Sequence, residues 1–207
     1  MAQNGFYFDS SRCTGCKTCE LACKDYRDLG EELLFRKVYD YEGGDWEQGG
    51  DGTWTTTTFA YHVSEACNHC VVPACLAVCT AEAIVKDLDN GLVYIDEQLC
   101  IGCASCVTAC PYGVPKMDTA SGKARKCDGC YERTTAGEKP ICVEACPLRA
   151  LEFDDIEQLR SNYGELAQIP PLPDPDQTSP SIVIKACPAT ESPALSKGFV
   201  ANEAEVA

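Results

Sequence analysis

Apolar and polar residues alternate in short runs along this chain, and no stretch approaches the roughly 18 consecutive apolar residues of a membrane-spanning helix. Phe6-Tyr7-Phe8 and Leu151-Glu152-Phe153 read as short strands. Two longer runs, Leu33 to Tyr41 and Thr53 to Val63, flank a glycine-rich turn containing Gly43-Gly44-Asp45-Trp46 and Gly49-Gly50. Their alternation predicts a hairpin with one face available for packing. Ile84-Val85-Lys86 and Leu92-Val93-Tyr94-Ile95 predict a second hairpin, closed by an Asn90-Gly91 turn. Asp154 to Tyr163 predicts a helix ended by Gly164, and Ser181 to Lys185 a lone strand. Between these last two lie Pro170, Pro171, Pro173, Pro175 and Pro180, the mark of an extended linker. The remainder to Ala207 is expected to be a mobile tail unless a partner orders it.

Composition changes this picture sharply, because 17 of the 207 residues are Cys. That is far beyond the use of cysteine as a small core hydrophobe, so the thiols are expected to be bound to something. With 32 acidic and 17 basic side chains the formal net charge is -15, which argues against a nucleic-acid partner. The start, MAQNGFYFDSSRC, has no basic or apolar leader region and no twin-arginine pair, so no export signal is expected of it. Thiols made in reducing cytosol favour metal ligation over disulfides.

Sixteen of the cysteines form four groups of four. Cys13, Cys16, Cys19 and Cys23 are spaced C-x2-C-x2-C-x3-C, and Cys100, Cys103, Cys106 and Cys110 repeat that spacing. Cys67, Cys70, Cys75 and Cys79 are spaced C-x2-C-x4-C-x3-C, and Cys127, Cys130, Cys142 and Cys146 are spaced C-x2-C-x11-C-x3-C. The first spacing is the run that binds a [4Fe-4S] cube in bacterial ferredoxins: three thiolates on one short loop cover three corners, and the fourth Cys turns away to the next cube. Zinc prefers two separated C-x2-C knuckles, and a third Cys two residues on would crowd a tetrahedral site.

An offset of 87 superimposes the first group on the third, with Asp9 on Asp96 and Gly15 on Gly102. An offset of 67 superimposes Pro73-Ala74-Cys75 on Pro140-Ile141-Cys142 and Cys79 on Cys146. The chain is thus a duplication with two motifs of each type. The Asn90-Gly91 hairpin ties the second and third groups together, and by elimination the first and fourth groups pair, Phe6-Tyr7-Phe8 lying against Leu151-Glu152-Phe153. The expected fold class is α+β: two interleaved bacterial-type 2[4Fe-4S] ferredoxin-like units with an inserted β-hairpin and an extended C-terminal tail. The expected boundaries are 1–23 plus 111–160 for the outer unit, 24–66 for the hairpin insertion, 67–110 for the inner unit and 161–207 for the tail. Sending each fourth Cys to the other cube yields four hypothetical cages. Cage one is Cys13, Cys16, Cys19 and Cys146; cage two is Cys67, Cys70, Cys75 and Cys110. Cage three is Cys100, Cys103, Cys106 and Cys79; cage four is Cys127, Cys130, Cys142 and Cys23. The alternative is that each motif closes its own cube.

Other residues carry weaker signals. Prolines follow the last Cys in Cys110-Pro111 and Cys146-Pro147, whereas the second group has Thr80 there. Cys187 precedes Pro188 but lacks companions, which favours an ordinary buried thiol. His69, between Asn68 and Cys70, reads as a hydrogen-bond donor to a sulfide or a structural residue rather than a ligand. His62, Trp46 and Trp54 read as packing residues. The 24–66 hairpin either covers the outer unit or docks a partner, and the Cys130 to Cys142 segment is either a bridging loop or a partner contact.

No Gly-rich nucleotide fingerprint, paired catalytic carboxylates or nucleophile-base pair is present, and no iron is left open for Lewis-acid chemistry. The chain reads as a wire, not an enzyme. FDSSRCTGCKTCELACKDY, CNHC with PAC, CIGC with ACPYG, KCDGCYER and KPICVEACPLRAL closely resemble the iron-sulfur electron-transfer subunits of anaerobic dimethyl sulfoxide reductases within the molybdopterin oxidoreductase family. The similarity runs from about Gly5 to Lys185. It implies four [4Fe-4S] clusters as cofactors, and a place between a molybdopterin catalytic subunit and a quinol-oxidising integral membrane anchor, as a peripheral part of a membrane-associated complex. It implies assembly in the cytoplasm, export folded with a partner that carries the signal, and the same pairing of outer and inner motifs. It also implies that electrons enter near cage four, pass cages three and two, and leave from cage one. Alternatives are the same module in a polysulfide, thiosulfate, arsenate or formate oxidoreductase, a free-standing polyferredoxin, or a zinc-bound scaffold. Sixteen thiolates with four oxidised 2+ cubes would add about -8 to the formal charge.

Overall fold

The computed structural model describes residues 2–206 and has a mixed α/β architecture of small sheets and short helices. Strand β1 (Asn4–Asp9) leads into the first Cys loop, and Cys19 and Cys23 follow on helix α1 (Thr18–Tyr26). Strand β2 (Lys37–Gly43) continues into a tip hairpin, β3 (Trp46–Gln48) and β4 (Trp54–Thr56), and returns as β5 (Phe59–Glu65). β2 and β5 pair antiparallel along their whole length, so the predicted hairpin forms, while Leu33 and Phe35 lie outside the strand as core anchors. Trp46 and Trp54 are not packing residues. They are 61% and 58% exposed, because the tip ribbon extends past the sheet with both its faces in solvent.

The central segment holds helix α2 (Ala74–Ala77), strands β6 (Ile84–Lys86) and β7 (Val93–Ile95), helix α3 (Ser105–Ala109), and a further hairpin, β8 (Lys116–Asp118) with β9 (Lys123–Arg125). β6 and β7 pair as predicted, but the turn differs. The Asp87 N–H donates to the Leu92 carbonyl (2.8 Å), which encloses four residues, and the Asn90 side chain accepts from the Leu92 N–H (2.9 Å). Asn90-Gly91 therefore ends a longer loop instead of forming a two-residue turn; Gly91 supplies its positive φ of 73°.

Helices α4 (Tyr131–Thr135) and α5 (Ile141–Ala145) precede strand β10 (Leu151–Asp155) and helix α6 (Ile156–Tyr163). The Asp155 carboxylate caps α6 by accepting from the Glu157 and Gln158 N–H groups, and Gly164 ends it at φ 92°. β10 pairs with β1 as expected, antiparallel, with Phe6 opposite Phe153 and Phe8 opposite Leu151. Strand β11 (Ile182–Lys185) pairs parallel with the other edge of β1, which makes β1 the centre of a three-stranded sheet. Phe8, Ile182, Ile184 and Leu151 from this sheet join Val38, Tyr61 and Val63 in one core.

The C-terminal residues are docked, contrary to the expected mobile tail. Strand β12 (Phe199–Val200) pairs with β2, and α7 (Glu203–Val206) follows it. The Asn202 side chain accepts from the Asp40 N–H (2.8 Å) and donates to the Val38 carbonyl (2.9 Å), closing the exposed edge of β2. Lys17 pairs with Glu205.

Candidate metal centre

The backbone repeats the duplication seen in the cysteines. Gly15 and Gly102 (φ 66° and 72°) are each followed two residues later by a left-handed residue, Lys17 and Ala104, that precedes the helix bearing the third Cys; the fourth lies within α1 as Cys23 and just past the end of α3 as Cys110. Glu82 and Arg149, also related by 67 positions, share φ near 52° just beyond Cys79 and Cys146. Such left-handed positions turn successive N–H groups inward and make concavities suited to anions and iron-sulfur groups. Asp9 and Asp96 enter the two related loops, accepting from the Ser11 N–H (3.0 Å) and the Gln98 N–H (2.8 Å).

These loops bring the sixteen cysteines into four sets, each joining two motifs. Cys67, Cys70, Cys75 and Cys110 line one pocket. Cys79, Cys100, Cys103 and Cys106 line a second, and Cys13, Cys16, Cys19 and Cys146 a third. Cys23, Cys127, Cys130 and Cys142 face one another and are all buried. In every set three thiols come from one motif and one from its partner. Cys187 stays apart, at the start of a turn in the main core.

Among the described residues no three Cys, His, Asp or Glu side chains converge closely enough to hold a single metal ion. A tetrahedral zinc needs its sulfurs about 2.3 Å from one point. The four-thiol sets instead stand around open space, as a larger inorganic cube requires. Burial pushes the Cys13 and Cys70 thiols up to about 11, and nearby sulfurs add to the effect. Ionising a set that holds such a thiol therefore calls for a cationic centre that displaces its proton.

The sets form a row. Arg36 faces Cys19 of cage one and Cys142 and Cys127 of cage four. Lys126 faces Cys127 of cage four and Cys67 and Cys75 of cage two. Cys75 of cage two shares a small core with Cys79, Cys100 and Cys106 of cage three. The spatial order is thus one, four, two, three, which corrects the order implied by the resemblance. Cage four lies inside the row with every thiol buried, whereas Cys16 of cage one and Cys103 of cage three are exposed.

The description "4Fe-4S dicluster domain" fits residues 58–156. The sequence is 53% identical to the B subunit of anaerobic dimethyl sulfoxide reductase from Haemophilus influenzae over 206 residues, covering all of both proteins. It is 52% identical to the Escherichia coli K12 protein of that name, covering 99% of this chain and 98% of the relative. The chain belongs to the family of anaerobic dimethyl sulfoxide reductase B subunits. A more distant relative is the iron-sulfur subunit of the nitrate-inducible formate dehydrogenase of E. coli K12, 30% identical over 70% of this chain and 52% of that one. As a member of the B-subunit family it is an electron-transfer subunit carrying [4Fe-4S] clusters.

The surroundings of the cages in this subunit fit such groups. Arg36 Nε and Nη2, Asn68 Nδ2, His69 Nε2, Tyr112 Oη and Thr178 Oγ1 are buried and find no partner among the described residues. All are capable donors, and they border the cages: Asn68, Tyr112 and Thr178 line the cage-two space. Sulfides and thiolates accept hydrogen bonds, so a cluster would satisfy donors that otherwise carry a burial penalty of about 1–3 kcal/mol each. His69 is fully buried; its Nδ1 accepts from the Val93 N–H (2.9 Å), which leaves Nε2–H aimed toward Cys127. Burial raises the Glu65 carboxyl to about 8, against the pull of the Tyr39 hydrogen bond and of Lys37 and Arg36. Further N–H···S bonds reach Cys100 from Ala124 (3.4 Å), Cys127 from Gly129 (3.4 Å) and Cys146 from Ala150 (3.3 Å).

His62 packs against Gly15, with Nδ1 2.8 Å from Asp40 Oδ1. The Cys130 to Cys142 segment is tied to its surroundings: Tyr131 donates to Asp87 Oδ2 (2.7 Å) in the β6–β7 loop and Arg133 pairs with Glu144 (2.6 Å) on α5. Sequence reasoning missed Arg36 and Lys126. The available signal for Arg36 was a cation inside the apolar run Leu33 to Tyr41, which burial requires to be compensated.

Gly102 tests the loop geometry, since a Cβ there would strike the Gly122 carbonyl and the residue would keep a positive φ. Gly102→Ala is expected to destabilise the holo-protein by at least about 1–2 kcal/mol. Gly50→Ala, with open space around it, should stay within about 0.5 kcal/mol by urea unfolding.

Proposed function

We propose that this chain is the non-catalytic relay of a dimethyl sulfoxide or N-oxide reductase, with the four cages each holding one [4Fe-4S] cluster. The ligands are Cys13, Cys16, Cys19 and Cys146; Cys23, Cys127, Cys130 and Cys142; Cys67, Cys70, Cys75 and Cys110; and Cys79, Cys100, Cys103 and Cys106. The observation that carries this reading is the row of four cross-motif thiol sets bordered by unpartnered buried donors. When bound, each cluster takes up and passes on one electron. The chain's own residues hold the cages at fixed separation, exclude water from cage four and leave one thiol of each terminal cage at the surface.

On this reading residues 1–23 with 111–160 form an outer ferredoxin-like unit for cages one and four, supported by the β1–β10 pairing. Residues 67–110 form the inner unit for cages two and three, 24–66 are an inserted hairpin, and 161–207 are an extended tail that folds back on both. Electrons pass between cages one and three through four and two. The partners are a molybdopterin catalytic subunit at one end and an integral membrane anchor at the other, which makes the chain peripheral to the membrane. Among the described residues no helix is long and apolar enough to cross one.

Anaerobic purification tests the reading. Iron and labile sulfide near 16 atoms each per chain are expected, with co-purification of a large molybdopterin protein whose turnover uses sulfoxides and N-oxides. A zinc-loaded chain, or a monomer with no such companion, would overturn it.

A further inference from the structure

Two cations are buried at the internal junctions of the row. Arg36 is 2% exposed, and its guanidinium lies over the Phe6 ring, 4.7 Å from the centroid. Its Nη1 donates to Ser64 Oγ (3.1 Å), and that hydroxyl is 3.4 Å from Cys19 Sγ of cage one. The other face of the guanidinium meets Cys142 and Cys127 of cage four. Lys126 is 5% exposed; its Nζ donates to Cys67 Sγ of cage two (3.3 Å) and to the carbonyls of Val93 and Cys127. Neither cation forms an ion pair with a carboxylate among the described residues. Arg27, which also lies near cage four, is by contrast paired with Asp128.

A buried cation without a counter-charge is strongly destabilising. Among the described residues both cations face cage thiols, and the buried Glu65 carboxyl, raised to about 8 by burial, also lies near Arg36; the four sulfurs and oxidised cube of a cage would together carry about -2. Cage three has no equivalent: the residues lining its space, from Ala81 to Ala124, include no charged side chain.

We propose that Arg36 and Lys126 are potential-setting residues, each a counter-charge shared by two consecutive cages: Arg36 by one and four, Lys126 by four and two. Reduction adds one negative charge to a cage, and a fixed cation a few ångströms away in a poorly screened interior favours the reduced form. Cage four feels both cations, cages one and two feel one each, and cage three feels neither. The proposal rests on the four-cage ligand assignment.

The test is an anaerobic dithionite titration of the purified holo-complex, followed by electron paramagnetic resonance of its one-electron reduction waves. Four waves are expected from this chain. Arg36→Met should lower two of them and Lys126→Met two, with one wave common to both variants and one moved by neither. Each shift should be at least tenfold in the reduced-to-oxidised ratio at fixed poise, which is 59 mV for one electron. Arg36→Lys and Lys126→Arg keep the charge and should keep each wave within threefold of the starting protein. Iron lost in a Met variant but retained in the charge-keeping variant also supports the proposal. Unmoved waves, a uniform shift of all four, identical or disjoint shifted pairs, or iron loss that the charge-keeping variant does not prevent would each overturn it. Fewer than four waves in the unsubstituted chain would instead overturn the four-cage reading.

Discussion

Cys142→Ser is expected to cut turnover of the assembled complex by more than about 100-fold, beyond the 10–100-fold typical of changes around rather than within a metal's ligand set. Cys142 is fully buried among Cys127, Cys130 and Arg36, in the cage that lies second in the row. Cages one and two each border cage four, on the two sides marked by Arg36 and Lys126. With quinol as donor, only the clusters on the donor's side of cage four should be reduced in a rapid-mixing experiment. Iron should fall by about four atoms per chain. Undiminished turnover with intact reduction of all four clusters would remove cage four from the electron path.

Phe8→Ala is expected to produce the largest loss of stability, about 3–5 kcal/mol by denaturant unfolding of the holo-protein. Phe8 is 1% exposed at the centre of the three-stranded sheet, opposite Leu151 on one side and Ile184 on the other. It also lines the space enclosed by cage one. The truncation therefore opens a cavity shared by the main core and a metal centre, and chelator-driven iron loss should proceed faster from cage one than from cage three. Leu21→Ala, on the 62% exposed face of α1, should change stability by no more than about 0.5 kcal/mol. A Phe8→Ala protein as stable as the Leu21→Ala control would show that β1 is not the structural centre of the fold.

The two substitutions differ in how far they could be anticipated from the chain alone. Cys142 is legible because a thiolate ligand set is written in local spacing, and the offsets of 87 and 67 expose the duplication directly. That β1 pairs with β10 is legible too, by elimination once the Asn90-Gly91 hairpin ties the second and third groups together; the register is not, because both faces of β1 are buried. The second edge of β1 is not. Ser181 to Lys185 reads as a lone strand, and nothing local says that it lies parallel to β1 instead of leaving that edge to solvent. The docked C-terminus escaped for the same reason: Asn202 is an ordinary polar residue until Val38 and Asp40 are brought beside it.

The amino-acid sequence by itself determined the kind of centre, the four groups of four cysteines and their division between two motif types, because each depends on separations of a few residues or on internal repetition. Only the tertiary structure decided that cage four is internal, that the ends of the row are cages one and three, and that Arg36 and Lys126 stand between cages. These are properties of distance in a folded, poorly screened interior, where residues far apart in the chain become neighbours and a buried charge must find its counter-charge across elements.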